Sequence, residues 1–190
     1  MRTATITRKT KETDINLTIC LDGGEVKVDT GVGFFDHMLT AFATHAGYGL
    51  SVTCKGDTEV DCHHTVEDIG IVLGQALFEC LGDKSNLVRY GSFFVPMDAA
   101  LGFCAVDLCN RAYTVFEANF PQEKCGDFDA CMCGEFFRAV ADNAKITVHL
   151  RAPYGDNSHH IAEAIFKAFG HAMSIATEKT DKTLSTKGTL

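Results

Sequence analysis

A chain of 190 residues with 46% hydrophobic and 22% charged residues has the composition of one folded domain, which excludes wholesale disorder. Its formal net charge of −8 argues against nucleic-acid binding as the main function. The first residues, MRTATITRKTKETD, lack the apolar core of a signal peptide, and no apolar run is long enough to span a bilayer. The nine cysteines include no CxxC pair, so we expect reduced thiols in a cytoplasmic protein that binds neither nucleic acid nor membrane.

Along the chain, alternation of apolar and polar residues predicts strands, and apolar residues three to four apart predict helices. Each half is predicted to contain strands, a helix, a further strand and a second helix. In the first half the predicted strands are 3–10, 14–22 and 49–54, and the predicted helices are 37–46 and 64–81. In the second half they are strands within 103–118, a helix at 135–144, a strand at 145–150 and a helix that begins near residue 158.

The second helix of each half opens with the same motif, HHxxE. HHTVEDIGIVLGQA (63–76) aligns without a gap on HHIAEAIFKAFGHA (159–172), including Gly74 on Gly170. HMLTAFATHA (37–46) lies over EFFRAVADNA (135–144), where three alanines coincide. Two blocks that agree in order predict one domain, 1–190, built from two repeats at about 3–88 and 89–180 with a tail at 181–190. Asp61 and Ser158 are the predicted N-cap residues of the HHxxE helices.

The HHxxE spacing suits metal binding. His63 and Glu67 are i,i+4 and can share a helix face, whereas adjacent His63 and His64 diverge by about 100° around the axis. One helix could therefore supply ligands to two separate metal ions. The second repeat supplies an equivalent set: His159, His160 and Glu163.

The upstream alignment places His37 opposite Glu135, and both residue types bind metals. Eight candidate ligands result: His37, His63, His64, Glu67, Glu135, His159, His160 and Glu163. Four protein ligands per ion leave coordination positions open, as in catalytic sites. Mixed nitrogen and oxygen ligation suits Mn²⁺ or Fe²⁺, with Zn²⁺ as an alternative. A single HHxxE is more often an ordinary surface feature, but its duplication favours metal binding.

The chain resembles the imidazoleglycerol-phosphate dehydratase family of histidine biosynthesis in four motifs, which occur in the order GVGFFDHML, DCHHTVEDIG, DNSHHIAEAIFKAFG and STKGTL. The resemblance covers nearly the whole chain. It implies an α/β (α+β) fold made of duplicated half-domains, each a four-stranded sheet with helices packed on one face, of the ribosomal-protein-S5-domain-2-like type. It also implies a homo-oligomer of twenty-four chains whose active sites lie between subunits.

The implied enzyme is a hydro-lyase. It removes water from D-erythro-imidazole glycerol phosphate to give imidazole acetol phosphate, and two Mn²⁺ ions per active site bind the substrate as an imidazolate. Fe²⁺ or Zn²⁺ are expected substitutes. The family motifs place metal ligands at the eight positions above, but many members carry histidine where this chain has Glu135, which leaves metal preference open.

The resemblance also implies substrate contacts. Glu12 matches a proton-transfer residue at C2 of the glycerol chain, and the implied catalytic set is Glu12, His45, Glu67 and Glu163. The implied substrate-binding residues are Glu12, His37, His45, His63, Glu67, Arg89, Arg111, His159, Lys167, Ser185, Thr186 and Lys187, the last three as phosphate donors in the tail. From the residues alone, Glu12 could be a strand-end charge, His45 could end its helix, and Lys167 could form a plain i,i+4 salt bridge with Glu163.

Other residues carry weaker expectations. Asp68 is interpreted as orienting a metal-binding histidine, and His149 and His171 as structural or surface residues. Two other functions stay open: a binuclear metallohydrolase, and a metal-stabilised assembly protein without activity.

Overall fold

The computed structural model describes residues 1–182, which form two halves of the same topology. The first half contains β1 (Thr3–Lys9), β2 (Thr13–Cys20), β3 (Val26–Asp29), α1 (Gly33–Ala46), β4 (Gly49–Gly56) and α2 (His63–Leu81). The second half contains β5 (Tyr90–Met97), β6 (Ala100–Asp107), β7 (Tyr113–Ala118), β8 (Lys124–Cys125), β9 (Phe128–Asp129), α3 (Met132–Ala144), β10 (Thr147–Tyr154) and α4 (Ser158–Ala176).

Each half builds a four-stranded mixed sheet, with the strand orders β1-β2-β4-β3 and β5-β6-β10-β7. In each sheet the first two strand pairs of this order are antiparallel and the third pair is parallel. The shared order confirms the predicted fold of duplicated half-domains, each a four-stranded sheet with helices packed on it. Within residues 1–182, no helix combines the length and the apolar character needed to cross a membrane.

The helices of the two halves also pack on each other. In β2 the buried residues alternate with exposed ones, so its apolar side faces α2. Helix α4 packs on β5 and β6, while α2 pairs with α3 and α1 pairs with α4. Aromatic rings join the halves, since Phe35 of α1 meets Phe136 of α3 edge-on at 5.2 Å and Phe136 stacks on Phe166 of α4 at 5.3 Å. Both helix pairs therefore combine one helix from each repeat.

The glycines that match between the repeats lie where these pairs cross. A Cβ at Gly74 would be 2.6 Å from the carbonyl oxygen of Val140, and one at Gly170 would be 2.6 Å from that of Phe42. Both distances are shorter than van der Waals contact allows, so only glycine permits this approach of the helices. Gly170 thereby brings α1, which carries His37, against α4.

The structure corrects several predicted element limits. The sequence pattern missed β5, an edge strand that contains Pro96 and three successive exposed residues and so lacks the alternation of a half-buried strand. It also missed β3 and the β8–β9 hairpin, and α1 begins at Gly33, four residues before the predicted start at His37.

Both predicted N-cap residues were wrong by one position. The N-cap of α4 is Asn157, whose side chain accepts hydrogen bonds from the backbone N–H groups of His159 and His160 at 2.9 and 3.3 Å. Ser158 instead exchanges hydrogen bonds with Gln122. The N-cap of α2 is Cys62, although Asp61 accepts a hydrogen bond of 2.7 Å from the N–H of His63.

Candidate active site

The α1–α4 pair assembles a compact group of possible metal ligands. The Nε2 atoms of His159 and His37 lie 3.2 and 3.5 Å from Oε2 of Glu163. Ligand atoms of these three residues all lie within 4.8 Å of one another, and they form the one such group found in residues 1–182. Glu163 is buried, whereas both histidines are exposed, so the group opens to solvent on the imidazole side. Two imidazole nitrogens and a carboxylate suit a divalent ion that accepts mixed nitrogen and oxygen ligands, such as Mn²⁺.

Local structure explains this convergence. His159 and Glu163 are i,i+4 on α4, whose start is fixed by the Asn157 cap. The start of α1 is held by Asp127, which follows β8 and accepts hydrogen bonds from the N–H groups of Gly33 and Phe34 at 2.9 and 3.4 Å. His37 therefore projects from the first turns of a helix that the other repeat caps.

Lys167 adds a cation to this group. Its Nζ lies 2.8 Å from Oε1 of Glu163, so the predicted i,i+4 pair is present. Burial alone would raise the pKa of Glu163, but the hydrogen bond and charge of Lys167, with smaller contributions from the two histidines, bring its pKa below the ordinary value. The carboxyl group is therefore ionised at neutral pH, as a metal ligand must be.

The corresponding residues of the α2–α3 pair are less tightly grouped. Nε2 of His63 lies 3.8 Å from Oε2 of Glu67, and both side chains are partly exposed. Glu135 of α3 forms an ion pair of 2.6 Å with Arg138, three residues further on. Its role as a metal ligand stays a prediction, and Arg138 competes with any metal for its carboxylate.

The second histidine of each motif points away from the first. The rings of His63 and His64 are inclined by 68°, as helical geometry predicts. Nδ1 of His64 lies 2.9 Å from Asp57, and its Nε2 lies 3.8 Å from Glu12. In the other repeat, Nε2 of His160 lies 3.8 Å from Asp98.

Sequence reasoning missed Asp57 and Asp98. The hydrogen bond to Asp57 raises the pKa of His64 and engages Nδ1, which leaves Nε2 for a metal. Asp68, the carboxylate that the sequence predicts to orient a histidine, accepts a hydrogen bond of 2.6 Å from the Thr13 hydroxyl instead. Asp98 follows β5 at the first hairpin turn of its half, where Glu12 lies in the other half, so an alignment of the two hairpins would have found it.

Two of the predicted substrate-binding residues meet at one carboxylate. Arg89 contacts Asp107 through Nε at 2.7 Å and Nη2 at 3.2 Å, and the exposed Arg111 reaches it at 3.8 Å. His45, a predicted substrate contact, lies 2.9 Å from His171. The predicted tail ligands Ser185, Thr186 and Lys187 lie outside the described residues.

A cavity of about 490 Å³ opens beside His159. Phe34, Lys124 and Asp127 are among the residues that line it, and the Phe34 ring meets His159 edge-on at 5.0 Å. Its volume is that of a small-molecule site, and it borders the His37, His159 and Glu163 group.

Comparison with known proteins decides the family. Residues 30–173 match the family model described as imidazoleglycerol-phosphate dehydratase. The chain belongs to the imidazoleglycerol-phosphate dehydratase family. An imidazoleglycerol-phosphate dehydratase from Acetivibrio thermocellus is 56% identical over 189 residues, which cover 97% of each chain.

Solved imidazoleglycerol-phosphate dehydratases share the fold as well. The enzyme from Staphylococcus aureus superposes with a TM-score of 0.86 at 43% identity, covering 94% of this chain and 99% of that one. The IGPD of Pyrococcus furiosus, in complex with (S)-C348, gives a TM-score of 0.86 at 38% identity, covering 97% and 100% of the two chains. The resemblance drawn from four motifs is thus confirmed, and the chain is an enzyme of the dehydratase family.

Proposed function

We propose that this chain dehydrates imidazole glycerol phosphate to imidazole acetol phosphate in cytoplasmic histidine biosynthesis, using two Mn²⁺ ions per active site. The observation that carries the proposal is the convergence of His37, His159 and Glu163 within 4.8 Å, beside the Lys167 amine. Membership in the dehydratase family supports the reaction, and the chemistry of the ligands supports the metal.

Two ligand sets would hold the ions. His37, His159 and Glu163 form one set, and His63, Glu67 and Glu135 are the equivalent residues of the other. His64 and His160 point away from their own sets, which supports metal sites that are completed between copies of the chain. When bound, the ions supply Lewis acidity to the imidazole ring of the substrate.

The protein's residues then bind the substrate and move its protons. Glu12 would take the proton from C2 of the glycerol chain and pass it to the hydroxyl on the neighbouring carbon, whose C–O bond breaks so that this hydroxyl leaves as water. The enol that remains then tautomerises to the ketone. The distance of 3.8 Å between Glu12 and Nε2 of His64 supports this assignment, because it puts the base beside a candidate ligand. Lys167, Arg89, Arg111 and the tail residues Ser185, Thr186 and Lys187 would bind the phosphate.

The surface of the second sheet supports assembly of many copies. On its outer face Phe94 packs against Phe103 at 4.4 Å, with Leu101 beside them. The outer face of the first sheet is polar by contrast, with Thr5 bonded to Thr18. We propose that a second copy covers the apolar face in the homo-oligomer. In sedimentation experiments, Phe94→Glu should give smaller particles than the exposed control Thr5→Glu, and an unchanged particle size would contradict this.

The proposed reaction is tested by metal removal. The purified protein is stripped with a chelator, and conversion of imidazole glycerol phosphate is measured with Mn²⁺, Zn²⁺ or no added metal. We expect turnover to return with Mn²⁺. Rebinding of metal without turnover would leave only an assembly role, and hydrolysis of simple phosphate esters would indicate a metallohydrolase instead.

A further inference from the structure

Two histidines form a close pair further along the α1–α4 crossing. Nδ1 of His45 lies 2.9 Å from Nε2 of His171, and the two rings are nearly perpendicular, with centroids 4.9 Å apart. Phe93 of β5 stacks on His171 at a centroid distance of 4.2 Å. Both imidazoles are partly buried, and His171 lies between the Phe93 ring and its hydrogen-bond partner His45.

The pair lies further along the same two helices that carry the candidate metal ligands His37, His159 and Glu163. His45 is eight residues beyond His37, and His171 is eight residues beyond Glu163, so both lie about 12 Å further along their helices. Lys167 occupies the intermediate i+4 position on α4. The same alignment that pairs the repeats puts Asn143 and Gln75 at the equivalent positions. The histidine pair therefore belongs to the α1–α4 crossing alone and is not a general feature of the repeat.

The contact couples the protonation of the two rings. At 2.9 Å, one nitrogen must donate a proton and the other must accept it, so the tautomer of one ring fixes that of the other. Because Nδ1 of His45 is engaged, Nε2 is its only nitrogen left for a ligand. Burial, and then the charges of His171 and Lys167, lower the pKa of His45, while Glu163 opposes them. The His45 ring is therefore neutral at neutral pH, and its tautomer is tied to that of His171.

We propose that His171 is a positioning residue for the dehydratase reaction, which orients His45 and fixes the tautomer that His45 presents to the substrate. This inference rests on the proposed function and on the substrate contact that the family resemblance implies for His45. It assigns a role to a histidine that the sequence predicts to be a structural or surface residue. The role operates through His45, without contact between His171 and the reacting atoms.

Steady-state kinetics of the metal-loaded enzyme test the proposal. We expect His171→Leu to lower kcat about 10-fold, because a second-sphere partner of this kind typically contributes 10–100-fold. His171→Gln keeps a polar group near the position of Nε2 and should recover most of that loss. His149→Leu replaces an exposed histidine of β10 and serves as the matched control, with unchanged kcat.

Nitrogen NMR of histidine-labelled protein gives a second measurement that needs no turnover. The wild type should show one tautomer of His45, and His171→Leu should show a mixture. Equal kcat in wild type and His171→Leu would overturn the proposal, as would a Gln variant as impaired as the Leu variant, since packing against Phe93 alone would then explain the loss. A mixed tautomer in the wild type would overturn it independently. If the wild type does not dehydrate the substrate at all, the proposed function fails, and the NMR result still decides whether His171 fixes the tautomer of His45.

Discussion

Gly170→Ala should damage both the stability and the metal site, because Gly170 sets the separation of α1 and α4. The added Cβ would lie 2.6 Å from the carbonyl oxygen of Phe42 and 3.1 Å from the backbone nitrogen of Ala46. Ordinary contact begins at 3.4 Å, so the helices must separate by about 0.8 Å at the crossing. These neighbours are backbone atoms, which cannot turn aside as a flexible side chain would.

The magnitude follows from two opposing effects. Alanine favours the helix by up to about 1 kcal/mol over glycine, whereas overpacking at such a contact costs roughly 1–3 kcal/mol. We therefore expect a net loss of about 1–2 kcal/mol in the free energy of unfolding. His37 lies on one helix and Glu163 on the other, so separation also lengthens their contact of 3.5 Å and should weaken binding of one Mn²⁺ ion. Contact between His159 and Glu163, both on α4, is unaffected.

Urea unfolding of metal-free protein and Mn²⁺ titration measure these effects. Gly134→Ala on α3 is the matched control, because its Cβ would find nothing nearer than the Phe116 ring at 3.4 Å. The control should be neutral or slightly stabilising and should bind Mn²⁺ normally. The reasoning is refuted if Gly170→Ala is as stable as Gly134→Ala and binds both ions equally well.

Further predictions concern single side chains. The buried amine of Lys84 donates hydrogen bonds of 2.8 and 3.1 Å to two carbonyls at the end of α3, so Lys84→Met should lower the free energy of unfolding in urea by about 1–3 kcal/mol. Lys55 is exposed, and Lys55→Met should cost nothing measurable. Burial lowers the pKa of Lys84 to about 8, so above that pH the unfolded chain holds more protons and wild-type stability should rise relative to Lys84→Met as pH increases from about 8 to 10. A constant difference across this range would contradict the assignment. Asp57→Asn removes the main cause of the raised pKa of His64 and should weaken metal binding about 10–100-fold, measured by competition with a chelator. Unchanged metal affinity would mean that Asp57 does not orient His64. Glu12→Gln should abolish turnover but leave metal content and particle size unchanged. Turnover of this variant at the wild-type rate would exclude Glu12 as the base.

The sequence was sufficient for the features that depend on local spacing. Alternation in β2 and the helical period of α2 and α4 place apolar residues on one side of each element, and the repeated order of elements predicts two equivalent sheets. The contacts of Glu163 with His159 and Lys167 are i,i+4 relations within one helix, so spacing alone locates them.

The missed features depend on contacts between distant parts of the chain. Asp127 caps a helix that begins 94 residues earlier, and the His45–His171 contact spans 126 residues, so no local pattern reveals either. Strand β5 was missed because an edge strand need not alternate. The Glu135–Arg138 pair is different, since it is an i,i+3 relation that spacing could have revealed beside the proposed ligand role.

We propose that the duplicated HHxxE motif gives each chain two metal ions that are both needed for dehydration. Stripped enzyme titrated with Mn²⁺, with formation of imidazole acetol phosphate followed at each addition, measures this directly. We predict that turnover rises to a plateau at two ions per chain. A plateau at one ion per chain, or two bound ions without turnover, would contradict the claim.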